Sequence, residues 1–468
     1  MKKITLLGAG SGFTQPLFTD ILNIKGLDRG IIGLVDIDEK RLSVNVKLMH
    51  RLLKKMGKTK WKIEASTDRK KILPKTNYLI NTIEVSGTAC VKKDYEIPLK
   101  YGINQCIGDT VGPGGVMKAL RTLPAWLDII KDAEKLCPDA LLMNYTNPMS
   151  IMSLATLRST GMPYIGLCHS VQGTAELITE LVGIPFDELD YECGGVNHIA
   201  WYTKLQWKNR DLYPAILEAM KDPEKFKRDP VRLEMVKQFG YYVTESSGHF
   251  SEYVPYFRKR KDLINKHCGK EYHGASGFYS KNWPSWRKKT DKERRAMAAG
   301  KKEIPTKRSY EYAADIIEAH ALNIPKTVYA SVLNKGLITN LPQKGVVEVK
   351  TLIDRNGYSP TYFGELPEHT ASICRANMAV YELCAQGILD RDREAVIHAM
   401  MVDPLSAAVC SPGEIREMAE KLLAAEKRYI PKWASKKPVK TGKRIKLPLQ
   451  KGPAGLKGSA MAKRNENN

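Results

Sequence analysis

Short apolar runs alternate with amphipathic stretches through the first two hundred residues. Runs at 3–7, 31–35, 62–65, 78–83, 140–145 and 164–167 have the length and β-branched content of buried strands. Between them, helical spacing of apolar positions predicts helices near 14–24, 38–56, 116–136, 148–159 and 172–182. This alternation predicts a doubly wound parallel sheet. Ligands in such sheets gather beyond the carboxyl ends of the strands. Those ends are polar here: Asp36, Asn81-Thr82, Asn144-Tyr145-Thr146-Asn147-Pro148 and Cys168-His169.

Beyond residue 197 the segments lengthen and carry more aromatic and basic residues, and helices are predicted near 309–322, 371–389 and 412–428. Ser411-Pro412-Gly413-Glu414 has the form of a capping box that starts the last of these. The predicted organisation is a Rossmann-like doubly wound α/β domain over 1–196 and an α+β domain over 197–431, like the plan of lactate and malate dehydrogenases. A tail at 432–468 completes it. That tail holds eleven Lys/Arg against one Glu in a Pro/Gly/Lys-rich stretch without helical periodicity, which predicts disorder.

Composition narrows the classes. A chain of 468 residues, 43% apolar, can bury large cores. It opens on no apolar leader and holds no run of 18 apolar residues, so a membrane span is not expected and the cytoplasm is. Nine cysteines without a Cys-x-x-Cys argue against a disulfide framework. The formal charge of +23 raises a nucleic-acid reading. Most of the excess sits in the tail and in 281–308, which carries eleven Lys/Arg against three acids; no zinc-finger, RNA-recognition or helix-turn-helix pattern accompanies it. No specific nucleic-acid partner is expected.

Two features carry chemistry. In Gly8-Ala9-Gly10-Ser11-Gly12 the first strand turns into a helix, which brings amide N–H groups against a pyrophosphate. Gly8, Gly10 and Ser11, with Asn81 at the fourth strand's end, are therefore expected to contact a dinucleotide. Asp36 follows Gly8 by 28 residues, more than the usual spacing of about 20, and is expected to accept from the ribose, favouring NAD. The second feature is Cys168-His169-Ser170-Val171, answered by Gly195-Val196-Asn197-His198. Thiolate and imidazole at the ends of two apolar runs are a donor pair for one divalent metal; singly, each reads more readily as a packed core residue, and the pairing reverses that.

These motifs, with Ile107-Gly108-Asp109-Thr110-Val111-Gly112-Pro113-Gly114-Gly115, Asn144-Tyr145-Thr146-Asn147-Pro148-Met149, Asn334-Lys335-Gly336-Leu337-Ile338-Thr339-Asn340-Leu341-Pro342 and Asp403-Pro404-Leu405, resemble the ordered signatures of glycoside hydrolase family 4. The resemblance implies an NAD- and Mn²⁺-dependent glycosidase outside the two-carboxylate scheme. In that scheme's place, NAD⁺ oxidises the sugar at C3, a base takes the C2 proton, the aglycone leaves, water adds and the cofactor restores C3. It places the metal on Cys168 and His198. His169 becomes the acid for the leaving oxygen, Asp109 a residue near metal and substrate, and Asn147 a contact to sugar hydroxyls. Tyr253 becomes the C2 base, with Tyr256 second. Family members form homodimers or homotetramers.

Within the family, Cys-His-Ser-Val followed by Gln172-Gly173-Thr174 goes with α-galactosidases, which implies melibiose-like substrates. The basic excess points instead to an anionic sugar, an α-galacturonide or a 6-phosphoglycoside, with Arg287 as counter-charge. An α-glucoside, or net hydride transfer on a 2-hydroxy acid, are further alternatives.

Overall fold

The computed structural model describes residues 1–309 and 311–436. One sheet runs through it. Six parallel strands, β1 (Lys2–Leu7), β2 (Gly30–Val35), β3 (Trp61–Ser66), β4 (Tyr78–Asn81), β5 (Leu141–Asn144) and β6 (Tyr164–Gly166), lie in the order 3-2-1-4-5-6. That is the doubly wound dinucleotide-binding order, with its switch point between β1 and β4. Seven later strands continue the sheet beyond β6: β7 (Leu189–Val196), β8 (Ile199–Trp207), β9 (Arg210–Asp211), β10 (Tyr242–Val243), β11 (Lys326–Leu333), β12 (Val346–Asp354) and β13 (Gly357–Pro360). From β6 outward the path is β11, β12, β7, β8 and β10, all antiparallel pairings, with β13 on β12 and β9 on β8.

The parallel register aligns the strand ends that the sequence marks as polar. Leu7 pairs Val35 and Asn81, Asn81 pairs Asn144, and Asn144 pairs Gly166. Gly8, Asp36, Thr82, Tyr145 and Leu167 therefore leave the sheet along one edge. Their strands are buried on both faces, which is why they read as continuous apolar runs.

Helices form close to where periodicity places them: Thr14–Leu22, Glu39–Lys55, Met149–Ser159, Ser170–Val182, Glu368–Asp390 and Pro412–Ala425. The last starts with the expected capping box of Ser411 and Glu414. The helix Gly112–Leu136 begins four residues before the expected 116, because Pro113 fits a first turn that needs no N–H. Phe278–Ala298, which sequence shows only as a basic cluster, is a 21-residue helix that tolerates Pro284 near its start. No described helix is long and apolar enough to cross a membrane.

Two of the expected boundaries fall within regular structure. The division at 196/197 falls in the turn of the β7–β8 hairpin, whose ladder binds Val196 to Ile199, and Met1–Ser435 forms one compact unit. The start of the expected tail, Lys432–Ser435, is a helical turn with Ala434 buried and its carbonyl accepting from Arg393 Nε at 3.0 Å. Residues 437–468 lie outside the described residues.

Candidate active site

The glycine loop is built by close approach. Gly8 has φ +77°, and a Cβ there would stand 2.6 Å from the Thr82 carbonyl oxygen; one on Gly10 would stand 2.7 Å from Asp36 Oδ2. Side chains at either position would push apart β1 and its neighbours on both sides. Asp36 Oδ2 accepts from Gly10 N at 2.7 Å and Oδ1 from Asp38 N at 2.8 Å, so the carboxylate lies beside the loop. Ser11 Oγ meets Thr82 Oγ1 at 3.3 Å. Asn81 is held by its neighbours at the end of β4. It is fully buried, its Nδ2 donates to Asn144 Oδ1 at 2.8 Å, and its Oδ1 accepts from Ile83 N at 3.2 Å. Its amide braces the ends of β4 and β5 from beneath.

Cys168 follows β6, and His198 sits in the two-residue turn of the β7–β8 hairpin at φ +68°, a left-handed conformation a non-glycine residue adopts at a cost. That turn aims the imidazole at the cysteine: Sγ and Nε2 are 3.3 Å apart. A third donor completes the group. Glu245, after β10 and itself at φ +73°, brings Oε2 to 3.6 Å from His198 Nε2. One ligand atom from each of the three lies within 4.8 Å of the others, the spacing of donors around one metal ion. Sequence reasoning missed Glu245 as a donor, although it opens the segment that carries Tyr253, because it follows a two-residue strand with no period of its own.

Electrostatics fit a divalent cation here. Burial pushes the Cys168 thiol up to about 11, and burial also raises Glu348, behind the hairpin, to about 7. Glu245 is half-buried; desolvation opposes its charge, but His198, His249 and His169 hold it well below the usual carboxylate range. A cation on the three donors would deprotonate the thiol and be neutralised by one thiolate and one carboxylate. His198 Nδ1 lies 3.0 Å from Tyr253 Oη, and His249 Nδ1 lies 3.3 Å from Glu245 Oε1. With His198 Nε2 turned to a metal, Nδ1–H donates to Tyr253, the outer contact that fixes a ligating imidazole.

Around this group the other expected residues divide. His169 precedes the helix Ser170–Val182, its side chain 55% exposed and its Nδ1 3.7 Å from Glu311 Oε1. Burial opposes its protonation, yet the Cys168, Glu311 and Glu245 charges outweigh burial and raise it above its ordinary value. Asp109 accepts from Lys118 Nζ at 2.9 Å and Thr110 Oγ1 at 2.6 Å. Burial opposes its ionisation, but Lys118 and His249 bring it down to about 2. Lys118 also lies 3.3 Å from Glu84 Oε2, on the loop after β4. Neither Lys118 nor Glu84 was anticipated; the signal available was the direct run of the Asp109 loop into the helix that carries Lys118.

Asn147 is half-buried on the loop after β5, joined to Pro148 by a cis peptide bond. Arg287, on Phe278–Ala298, reaches the loop after β4: a Cβ on Gly87 would stand 3.1 Å from its Nη1. Of the two tyrosines, Tyr253 touches His198. Tyr256 is 39% exposed and packs on Phe239, ring centroids 5.9 Å apart. Tyr253 is fully buried; burial first, then the nearby Tyr381, Glu245 and Asp109, raises its phenol well above 10.0.

Residues 3–184 match the Family 4 glycosyl hydrolase family, and 193–406 its C-terminal domain. An alpha-galactosidase of Bacillus subtilis (strain 168) is 40% identical over 440 residues, covering 92% of this chain and 100% of that protein. An alpha-galactosidase of Rhizobium meliloti (strain 1021) is 34% identical over 446 residues, covering 92% and 90%. The 6-phospho-beta glucosidase of Thermotoga maritima, solved with manganese, NAD⁺ and glucose-6-phosphate, superposes with a TM-score of 0.76 at 22% identity, covering 92% of this chain and 99% of that one. The chain belongs to glycosyl hydrolase family 4.

Proposed function

We propose that this chain hydrolyses α-galactosides of the melibiose type, with NAD⁺ and a divalent cation, Mn²⁺, as its cofactors. The observation that carries the reading is the Cys168–His198–Glu245 donor group at the sheet edge that also bears the glycine loop. Support for the sugar comes from the two alpha-galactosidase relatives at 40% and 34% identity and from Cys168-His169-Ser170-Val171.

When bound, NAD⁺ takes up a hydride from the sugar and returns it, while the cation offsets charge developing on adjacent sugar oxygens. The chain's own residues do the rest. Gly8, Gly10 and Ser11 offer the dinucleotide a turn without side-chain obstruction, and Asp36 accepts from its ribose. Cys168, His198 and Glu245 hold the metal, and Tyr253 Oη fixes the His198 tautomer. We assign Tyr253 as the acceptor of the sugar C2 proton as well. Burial keeps its phenol too weak a base alone, so that role depends on the positive charge beside His198. His169, exposed next to Cys168, donates to the leaving oxygen. Asn147 meets sugar hydroxyls with both functions of its amide. Asp109 stays ionised against Lys118 and keeps a fixed negative charge near the site.

All nine cysteines are free, in keeping with a cytoplasmic enzyme. The test is a panel of nitrophenyl α-galactoside, α-glucoside, α-galacturonide and 6-phosphoglycosides with NAD⁺ and Mn²⁺. Release from the α-galactoside without accumulation of NADH is the expected result. Turnover of an anionic sugar alone would move the specificity to Arg287 and its neighbours, and NADH equal to product would make the chain a dehydrogenase.

A further inference from the structure

The dinucleotide site carries two opposed signals. Asp36, at the end of β2, is the residue type that accepts from a ribose 2′-hydroxyl, and Arg41, five residues on, is the type that meets a 2′-phosphate. Both stand at the same spot: a Cβ on Gly10 would lie 2.7 Å from Asp36 Oδ2 and 2.9 Å from Arg41 Cβ. A free guanidinium there would favour NADP⁺.

Arg41 is not free. Its Nη1 is held by Asp291 Oδ2 at 2.6 Å and its Nε donates to the Gly10 carbonyl at 3.1 Å. Asp291 lies 250 residues away on the helix Phe278–Ala298 and its other oxygen binds Arg294. Arg294, 5% exposed, donates from Nη1 to the carbonyls of Gly10 and Ser11. Thr290 completes the contact, 3.2 Å from where a Cβ on Gly12 would be. One turn of this helix therefore sits on the glycine loop and ties both arginines to it.

We propose that Asp291 is a specificity-determining residue for the cofactor: by holding Arg41 on the glycine loop it withholds the cation a 2′-phosphate needs and leaves Asp36 to select NAD⁺. This rests on the reading of the loop as the dinucleotide site. The Arg41 side chain keeps two contacts in the arrangement observed, and loss of Asp291 removes its one ion-pair partner among the described residues. A guanidinium released in this way makes a charge-assisted, bidentate contact with phosphate.

The test is calorimetric titration of the full chain with NAD⁺ and with NADP⁺, without sugar, for wild type, Asp291→Ala, Arg41→Ala and the double variant. Wild type is expected to prefer NAD⁺. In Asp291→Ala the preference should narrow by about tenfold or more, chiefly through tighter NADP⁺, which is the worth of one charge-assisted bond to the 2′-phosphate. The double variant should lose that narrowing. Where Asp291→Ala fails to fold, Asp291→Asn removes the charge and keeps the shape. Equal weakening of both dinucleotides, a preference within about twofold of wild type, or narrowing that survives removal of Arg41 would each overturn the proposal. A wild type that prefers NADP⁺ would overturn it too. Wild type that binds neither dinucleotide would instead refute the cofactor reading beneath it.

Discussion

Glu252→Gln should release the loop that carries Asp109. The Glu252 carboxylate is fully buried and makes four contacts with the segment just before Asp109. Oε1 accepts from Cys106 N at 2.7 Å and Ile107 N at 2.6 Å; Oε2 accepts from Gly108 N at 2.9 Å and Gln105 Nε2 at 3.0 Å. Three successive backbone donors converge on one anion, so the charge and both oxygens are used. Glutamine keeps one oxygen and replaces the other with an NH₂ that faces two donors, whichever way the amide turns. Two charge-assisted bonds vanish, leaving buried donors unmet, a loss of about 3–6 kcal/mol. For the compact unit Met1–Ser435 that is a fall in Tm of about 3–7 °C. Because Glu252 adjoins Tyr253 and its partner loop ends in Asp109, turnover should fall further than stability alone explains. The donors of the metal group lie on other elements, so Mn²⁺ affinity should hold. Thermal denaturation, Mn²⁺ titration and kcat on nitrophenyl α-galactoside measure the three effects. A Tm within about 1 °C of wild type would refute the four-contact reasoning. Unchanged kcat in a destabilised variant would separate the clamp from catalysis.

Cys168→Ser and Glu245→Gln should each abolish Mn²⁺-dependent turnover while NAD⁺ binding persists; activity that survives without added metal would contradict the donor group. Tyr253→Phe should lose most turnover, and a fully active variant would remove both roles assigned to the phenol. Glu348→Gln is a pH test in metal-free protein. The folded carboxyl titrates near 7, above the unfolded value of 4.5, so the folded state binds more protons between the two. Its contribution to stability is present below 4.5 and is lost as pH rises through 7, a penalty of about 3 kcal/mol at pH 8. A glutamine in place of the acid has no proton to lose, so the variant should gain Tm at pH 8 and gain little at pH 4. An equal change at both values would show that the fold leaves the proton affinity of this carboxyl unshifted.

Sequence reveals what repeats locally, and this site divides along that line. The strand ends were legible because each parallel strand is an uninterrupted apolar run that stops on a polar residue, and in-register pairing then aligns those stops. Cys168, Asp36 and the glycine loop owe their placement to that alone. His198 was legible through its motif, and the hairpin turn explains why it points at Cys168. Glu245 was not, because a carboxylate after a two-residue strand has no period and its partners are 47 and 77 residues upstream. Asn81 shows a different limit. Its position at a strand end suits a ligand contact and its amide also binds Asn144 and Ile83, a bracing role that no local pattern reveals. The basic stretch at 281–308 was visible as charge, but its partners were not. Within it Arg294 is committed to the glycine loop, and Asp291 to Arg41 and Arg294. Net charge records how many cations a segment has; which of them are neutralised by a partner 250 residues distant is set by the fold. For that reason the positive charge of this chain is weak support for an anionic sugar: Arg41 and Arg294 are held by Asp291, and Lys118 by Asp109 and Glu84, before any substrate arrives.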